Sequence, residues 1–335
     1  MPQLVSILIP AYNSELWISE TIKSALSQTW NKKEIIVVDD GSTDKTLRIA
    51  KRYESSLVKV IAQQNMGANQ ARNRALEYAQ GSYIQWLDAD DLLAPDKIEK
   101  QMIVAENLSN PRVLLTSSWA KFYYRSENAK FVPDNLWRDL DPIDWLITKF
   151  TENAWMNPAV WLVSRHLTES AGPWDERLAR DQDGEYISRV VSRCERVQFV
   201  PQGKSYYRQC NQQSLSRRMS WKSIESIFLA KSLSIQCLRS IEDSKRTREA
   251  CLANLNRFIG YVEMEQGALL EKATALAEEL GGDLSYPIPS WKYSMVEIVL
   301  GARWAKNAQS ALATFKPMIF RNWDKLLKGA SGLVR

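Results

Sequence analysis

The first ninety residues alternate between short apolar runs and segments with helical periodicity. Four runs have the length of strands: residues 4–9, 34–38, 57–62 and 82–87, the first ending at Pro10. Apolar residues recur at steps of three and four between them, which predicts helices over residues 15–28, 45–53 and 68–79. The strands are continuously apolar, so both faces of their sheet must be covered. The pattern predicts an α/β fold with a mostly parallel sheet flanked by helices.

The pattern changes after residue 91. It predicts a helix over residues 95–108, a strand over residues 113–119, an aromatic-rich stretch over residues 122–161 and two long helices over residues 221–280. Gly281 and Gly282, followed by Pro287 and Pro289, indicate a linker. We therefore expect a domain over residues 1–218, a helical extension over residues 219–284 and a tail over residues 285–335.

Charge is concentrated in that tail. The whole chain carries +5, whereas residues 291–335 contain eight Lys and Arg against Glu297 and Asp324. The rest of the chain is close to neutral, which argues against a nucleic-acid-binding protein. The four cysteines form no C-x-x-C pair and there is a single histidine, so neither a zinc site nor a disulfide framework is predicted. With no signal-peptide pattern and no apolar run of about 20 residues, we expect a cytoplasmic protein without a membrane span.

Polar residues follow the predicted strands, where a parallel sheet binds its ligands. Asp39 and Asp40 end the second strand, and the fourth is followed by carboxylates at Asp88, Asp90, Asp91 and Asp96. Such crowded carboxylates favour a hard divalent cation such as Mg²⁺ or Mn²⁺. Turn and helix-capping aspartates are the alternative.

Two further groups carry candidate chemistry. Arg72 and Arg74 lie in the third predicted helix, where a guanidinium can bind a diphosphate, and we expect one of them to be solvated. Residues 174–185 contain five carboxylates. This stretch is either a solvated acidic loop or the source of a general base.

Four segments together resemble family 2 glycosyltransferases, which have the GT-A fold: VSILIPAYN (5–13), EIIVVDDGSTD (34–44), GANQARN (67–73) and GSYIQWLDADD (81–91). The resemblance is specific over residues 3–100 and weakens towards residue 217. It implies a nucleotide-sugar half over residues 1–110 and an acceptor half over residues 111–218. The implied reaction is inverting transfer of a sugar from a nucleotide-sugar donor, often a UDP sugar, in surface glycan or polysaccharide synthesis.

The resemblance also implies roles for individual residues. The loop Pro10, Ala11, Tyr12 and Asn13 would hold the nucleotide base together with Asp40 and Arg72. Asp88 would contact the ribose. Asp90 would bind the divalent metal on the diphosphate.

The family's base is usually the aspartate of a Glu-Asp pair six residues before an arginine. Arg189 then assigns the base to Asp183, although Gln182 replaces the glutamate, and Asp181 and Glu185 remain alternatives. A late Tyr-Arg-x-His element is also altered, because Cys210 replaces its histidine. A thiol is a weak donor to phosphate, so that contact would be missing or come from Arg208, Arg217 or Arg218.

Two other functions are compatible with parts of the pattern. A non-catalytic nucleotide-sugar-binding module would keep the donor motifs but lack a base. A sugar nucleotidyltransferase would need a Gly-rich basic first loop, which PAYN (10–13) does not resemble.

The tail has its own pattern. Leu312, Phe315, Ile319, Trp323 and Leu326 recur at helical spacing, with basic residues on other faces. This predicts either a helix packed on the enzyme or a peripheral contact with an anionic membrane at its inner face, where a glycan or lipid-linked acceptor would be found.

Overall fold

The computed structural model of the protein describes residues 2–209, 220–260 and 267–285, together with Asp324. Its strands are β1 (Val5–Ala11), β2 (Lys33–Asp40), β3 (Val58–Gln63), β4 (Tyr83–Trp86), β5 (Leu92–Leu93), β6 (Val113–Phe122), β7 (Lys130–Phe131), β8 (Val163–Ser164) and β9 (Arg196–Arg208). Its helices are α1 (Ile18–Leu26), α2 (Thr46–Lys51), α3 (Ala68–Tyr78), α4 (Lys97–Leu108), α5 (Pro142–Glu152), α6 (Arg165–Ala171), α7 (Gln182–Arg193), α8 (Trp221–Ile241), α9 (Lys245–Ile259) and α10 (Gly267–Glu279).

The strands form two sheets. The first has the order β3-β2-β1-β4-β8, in which β1, β2, β3 and β4 are parallel and β8 is antiparallel. The second has the order β5-β9-β6-β7, with only β6 and β9 parallel. The α/β fold with a parallel-rich sheet is confirmed, but the second sheet was not predicted.

Helices cover both faces of the first sheet, as the continuous apolar strands require. Every residue of β1 is buried. One face contributes to a core that contains Trp86, Trp174 and Tyr186; the Trp174 and Tyr186 rings stack at 4.1 Å. Ile7 and Ile35 lie in a second core on the opposite face, with residues of α1 and α4.

The sequence predicts that the first strand ends at Pro10, but in the structure it does not. β1 continues to Ala11, and Pro10 pairs with Val38 of β2. The pairing of β1 with β4 stops at Leu8, so beyond it β1 is an edge on that side. Proline has no backbone N–H, so it is tolerated in a strand at an edge position where no neighbouring strand accepts a hydrogen bond from it.

The region predicted as two long helices contains three among its described residues: α8, α9 and α10. The break between the first two is local. Ser244 forms a capping box with Thr247, which starts α9 three residues after α8 ends. α8 packs on α7 and α9 packs on α5, so this extension lies directly against the α/β domain.

Candidate active site

The loops that follow β1 and β2 are joined by hydrogen bonds. The Asn13 backbone N–H donates to Ser42 Oγ at 3.0 Å, and Asn13 Oδ1 accepts from the Thr43 N–H at 2.8 Å. Gly41 makes the turn possible, since its φ is +69° and a Cβ there would lie 2.7 Å from the Asn65 nitrogen. The two segments predicted to bind the base therefore form one unit.

The residues of the predicted base-binding loop differ in exposure. Pro10 and Ala11 are buried within β1, whereas the Tyr12 side chain is 48% exposed. Within this loop, Tyr12 is the residue that offers an exposed aromatic ring.

Asp39 and Asp40 both lie within β2 and are almost completely buried. The Asp40 carboxylate accepts three hydrogen bonds, which come from Gln63 Nε2 (2.8 Å), Met66 N (2.9 Å) and Gly67 N (2.8 Å). A carboxylate has about four acceptor positions, so roughly one is left for a ligand. Asp39 caps the turn through the Ser42 N–H at 3.1 Å, which is the Asx-turn role expected for one member of the pair.

Arg72 joins the donor motifs to the middle of the chain. Its Nη2 donates to Asp88 Oδ1 at 2.9 Å, and its guanidinium lies 4.4 Å from the centre of the Trp174 ring. Arg72 is 5% exposed, whereas Arg74 lies on the surface with Glu77. Arg74 is therefore the solvated arginine of the two, and Arg72 is the one at the site.

The carboxylates after β4 are crowded. Asp91 is fully buried, and its pKa is raised well above the usual value by burial and by the charges of Asp90 and Asp88. Its Oδ1 accepts from the Arg208 backbone N–H at 2.9 Å, while its buried Oδ2 has no hydrogen-bond partner. Asp88 and Asp90 are partly exposed. This donor set of hard oxygens, with an unsatisfied acceptor behind it, suits a divalent cation.

Arg208 supports this loop. Its Nε donates to the Asp90 carbonyl at 2.7 Å, and its Nη2 pairs with Glu20 at 2.7 Å. Its guanidinium lies 4.5 Å from the ring centres of both Trp17 and Phe122. The side chain is fully buried and paired with Glu20, which argues against Arg208 among the alternatives for the phosphate contact. Cys210, Arg217 and Arg218 lie outside the described residues.

Asp183 lies in the first turn of α7 and is partly exposed. Its Oδ2 accepts from Trp155 Nε1 at 3.1 Å. Burial and the Asp181 charge raise the pKa of Asp183, and the opposing effects of Trp155 and Arg72 are smaller. The charges of Arg72 and Asp88 also act on the Asp183 pKa, Arg72 lowering it and Asp88 raising it.

The two alternative bases are held differently. Glu185 is 2% exposed and forms a two-pronged ion pair with Arg189, with distances of 2.6 Å and 3.0 Å. Arg189 also donates to the Ala171 carbonyl. Asp181 lies 4.0 Å from Lys231 of α8. Glu185 is thus engaged by Arg189, whereas the charges of Arg72 and Asp88 act on Asp183.

Sequence reasoning missed Trp155 and the supporting role of Arg208. Trp155 lies in the aromatic-rich stretch, but nothing in that stretch distinguishes it from its neighbours. Arg208 follows two tyrosines in the altered Tyr-Arg-x-His element. That pattern marks Arg208 as a candidate functional residue, but it does not indicate that the residue supports the loop after β4. Only the contacts identify what each does.

No three His, Cys, Asp or Glu side chains in residues 2–209, 220–260 and 267–285 cluster to hold a metal ion by themselves. Within the same ranges, no helix is long and apolar enough to cross a membrane.

Known proteins resemble the chain over both its sequence and its fold. Residues 6–128 match the family model of glycosyl transferase family 2. An uncharacterized glycosyltransferase of Rickettsia typhi is 28% identical over 87% of this chain and 91% of its own length. Chondroitin synthase of Escherichia coli is 46% identical over 98 residues, which are 29% of this chain and 14% of that enzyme.

The fold is also found in solved structures. The crystal structure of S. aureus TarS residues 1–349 has a TM-score of 0.64 at 19% identity and covers 83% of this chain and 80% of the TarS chain. A second TarS structure, in complex with UDP-GlcNAc, has a TM-score of 0.60. We conclude that residues 6–128 form a glycosyl transferase family 2 domain, and that the chain shares the fold of the TarS structures.

Proposed function

We propose that the protein is an inverting, metal-dependent glycosyltransferase that moves a sugar from a UDP sugar to an acceptor hydroxyl. The observation that carries this proposal is the position of Asp183. The charges of the Arg72–Asp88 ion pair act on its carboxylate, which supports a base and a donor site that share one crevice. A single in-line displacement needs a base on the side of the sugar opposite the leaving nucleotide.

The donor end of the crevice suits a nucleotide. Tyr12 offers an exposed ring, and Asp40 keeps about one acceptor position for the N–H of a pyrimidine base. Asp88 is oriented by Arg72 and remains 29% exposed, as a contact to the ribose requires. TarS, which shares the fold, has been crystallised with UDP-GlcNAc, and this supports a UDP sugar as the donor.

A divalent cation fits the carboxylates after β4. Asp90 would hold it, and the remaining ligands would be diphosphate oxygens and water, since Mg²⁺ and Mn²⁺ accept such mixed oxygen sets. When bound, the cation would neutralise charge that develops on the leaving diphosphate. The supporting observation is the crowding of Asp88, Asp90 and Asp91, which raises the pKa of the buried Asp91.

Asp183 would accept the proton of the attacking hydroxyl. Burial raises its pKa, which makes it a stronger base than an exposed aspartate once it is ionised. The Trp155 N–H holds one carboxylate oxygen, so the other is directed to the substrate. A non-catalytic binding module would not need such a carboxylate opposite the donor site.

The acceptor would be a glycan or a lipid-linked saccharide in polysaccharide synthesis. The 46% identity to part of chondroitin synthase supports a polysaccharide product. The basic tail would bring the enzyme to the anionic inner face of a membrane, although apart from Asp324 it lies outside the described residues.

The test is incubation of the purified protein with Mn²⁺ and a panel of UDP, GDP and dTDP sugars. We expect slow release of UDP to water from one UDP sugar, abolished by EDTA and restored by Mn²⁺. Tight donor binding without any nucleotide release, with or without acceptors, would support the binding module instead. Pyrophosphate exchange would identify a nucleotidyltransferase.

A further inference from the structure

We propose that Trp119, Trp155 and Tyr207 form an acceptor platform on which a sugar ring of the acceptor stacks. The platform would then bind the sugar unit that carries the attacking hydroxyl, and it would not contact the rest of the acceptor. This inference rests on the proposed function, because it takes Asp183 as the base.

The three rings form a compact cluster. Trp119 and Trp155 have ring centres 5.1 Å apart, Trp155 and Tyr207 4.9 Å, and Trp119 and Tyr207 6.3 Å. All three pairs are edge-to-face, with interplanar angles between 70° and 89°. Such edge-to-face packing lets the rings support one another.

The platform differs from the aromatic core in exposure. Its three members are all partly exposed. The core tryptophans are buried to 1% exposure or less: Trp86, Trp145, Trp161 and Trp174. Trp119 also packs against the main hydrophobic core, so the cluster is supported from behind, and partly exposed aromatic side chains of this kind suit a ligand site.

The acceptor platform lies between the proposed base and the loop that follows β4. Trp155 Nε1 donates to Asp183 Oδ2, so one end of the platform touches the proposed base. Tyr207 precedes Arg208, whose backbone N–H binds Asp91. Burial raises the pKa of Tyr207, and the charges of Asp91, Asp90, Asp88 and Asp183 raise it further.

The chemistry of the platform favours a sugar over a lipid chain. A pyranose ring has an apolar face of C–H groups and a rim of hydroxyls, so it needs ring faces beside polar groups. The platform supplies both, because Asp183 borders Trp155 and the Lys121 ammonium lies 5.8 Å from the Trp119 ring centre. A polyprenyl chain would gain nothing from those charged neighbours. The nucleotide is accounted for elsewhere, by Tyr12, Asp40 and the Arg72 pair.

The test uses the full-length protein with UDP and Mn²⁺ present. Probes are an array of immobilised oligosaccharides, and vesicles of neutral lipid with and without polyprenyl phosphate. We expect the wild-type protein to bind a subset of the oligosaccharides. Trp119→Leu should weaken that binding at least tenfold while UDP affinity, measured by calorimetry, changes less than twofold. Tyr207→Leu should have the same effect, and thermal unfolding checks that each variant is folded.

Trp137→Leu is the matched control. Trp137 is also partly buried and packs on an aromatic ring, Phe199 at 5.7 Å, but it has no contact with Asp183. Its variant should bind saccharides like the wild type.

Three results would overturn the inference. The first is saccharide binding that is unchanged in both platform variants. The second is a wild-type protein that binds the polyprenyl phosphate vesicles but none of the oligosaccharides. The third is a loss of UDP affinity as large as the loss of saccharide binding, which would assign the rings to the donor. Failure of the proposed function is separate, because it would appear as a wild-type protein that neither binds nor turns over any nucleotide sugar.

Discussion

The Arg208 backbone N–H donates to Asp91 Oδ1 at 2.9 Å, which bonds the last residue of β9 to the loop that carries the proposed metal ligand. The Arg208 side chain adds a second bond, to the Asp90 carbonyl, so backbone and side chain hold the loop together. The second sheet therefore sets the position of residues that belong to the end of the first.

Arg208→Ala should loosen the metal loop and destabilise the protein. The substitution removes the Glu20 ion pair, the bond to the Asp90 carbonyl and the packing between Trp17 and Phe122. A loss of about 2 kcal/mol in the free energy of unfolding is expected, because Glu20 is half exposed and regains water. Urea unfolding measures the stability, and calorimetry should show weaker Mn²⁺-dependent UDP binding.

Arg196→Ala is the control for Arg208. Arg196 lies on the same strand but forms an exposed ion pair with Asp139. Exposed pairs contribute about 0–1 kcal/mol, so this variant should unfold and bind like the wild type. Equal behaviour of the two variants would refute the special role of Arg208.

Asp90→Ala should abolish both metal dependence and sugar transfer. The diphosphate would lose the cation that offsets its charge as it leaves. Turnover of the UDP sugar at increasing Mn²⁺ concentration measures the effect. Asp96→Ala removes a nearby carboxylate that makes no capping bond to α4, and it should retain metal-dependent activity. Near wild-type turnover in Asp90→Ala would show that another residue binds the metal.

Asp183→Asn should bind the donor normally and lower transfer by about 10²-fold, the scale for loss of a positioned base. The amide can still accept the Trp155 hydrogen bond but cannot take a proton. Asp181→Asn is the comparison, since Asp181 is the more exposed neighbour beside Lys231. Loss of activity in Asp181→Asn with retention in Asp183→Asn would move the base to Asp181.

The pH dependence follows from the raised pKa of Asp183. A base acts when deprotonated, so activity should fall as the pH drops through a value above that of an ordinary aspartate, about 3.9. The folded protein binds this proton more tightly than the unfolded chain, so the group destabilises the fold as pH rises past its unfolded pKa. Asp183→Asn should therefore melt higher than the wild type at neutral pH, with the difference shrinking below about pH 4. A melting temperature that falls at neutral pH would contradict this reasoning.

Removal of residues 291–335 should abolish salt-sensitive sedimentation with anionic vesicles. Basic side chains near an anionic surface contribute roughly 1 kcal/mol each, so a segment of this charge can hold the enzyme reversibly. The truncation also removes Asp324, which pairs with Arg125 at 2.7 Å and accepts from the Tyr124 N–H. A second full-length variant keeps Asp324 and replaces basic tail residues with Gln: Lys316, Arg321, Lys325 and Lys328. If it sediments like the wild type, the tail packs on the enzyme and does not bind lipid.

The sequence by itself determined the four parallel strands of the first sheet and the loops at their ends, but not β8, its antiparallel edge strand. The apolar runs that became β1 and β2 are local signals, and so are the helical periodicity of α3 and the acidic residues that follow β4. Parallel strands place their carboxyl ends together, so the grouping of Asn13, Asp40 and Asp88 followed from chain order alone. The choice of Arg72 over Arg74, in contrast, depended on burial.

Only the tertiary structure decided how the acceptor half completes the site. Arg208 meets Asp91 across 117 positions of the chain, and Arg72 reaches the Trp174 ring from another element. Glu185 and Arg189 pair locally, four residues apart within α7, but distant contacts joined Arg189 to the Ala171 carbonyl and brought Trp119, Trp155 and Tyr207 together. Local propensity and periodicity carry no information on such partners, because the pairs are formed by packing between elements that are far apart in sequence.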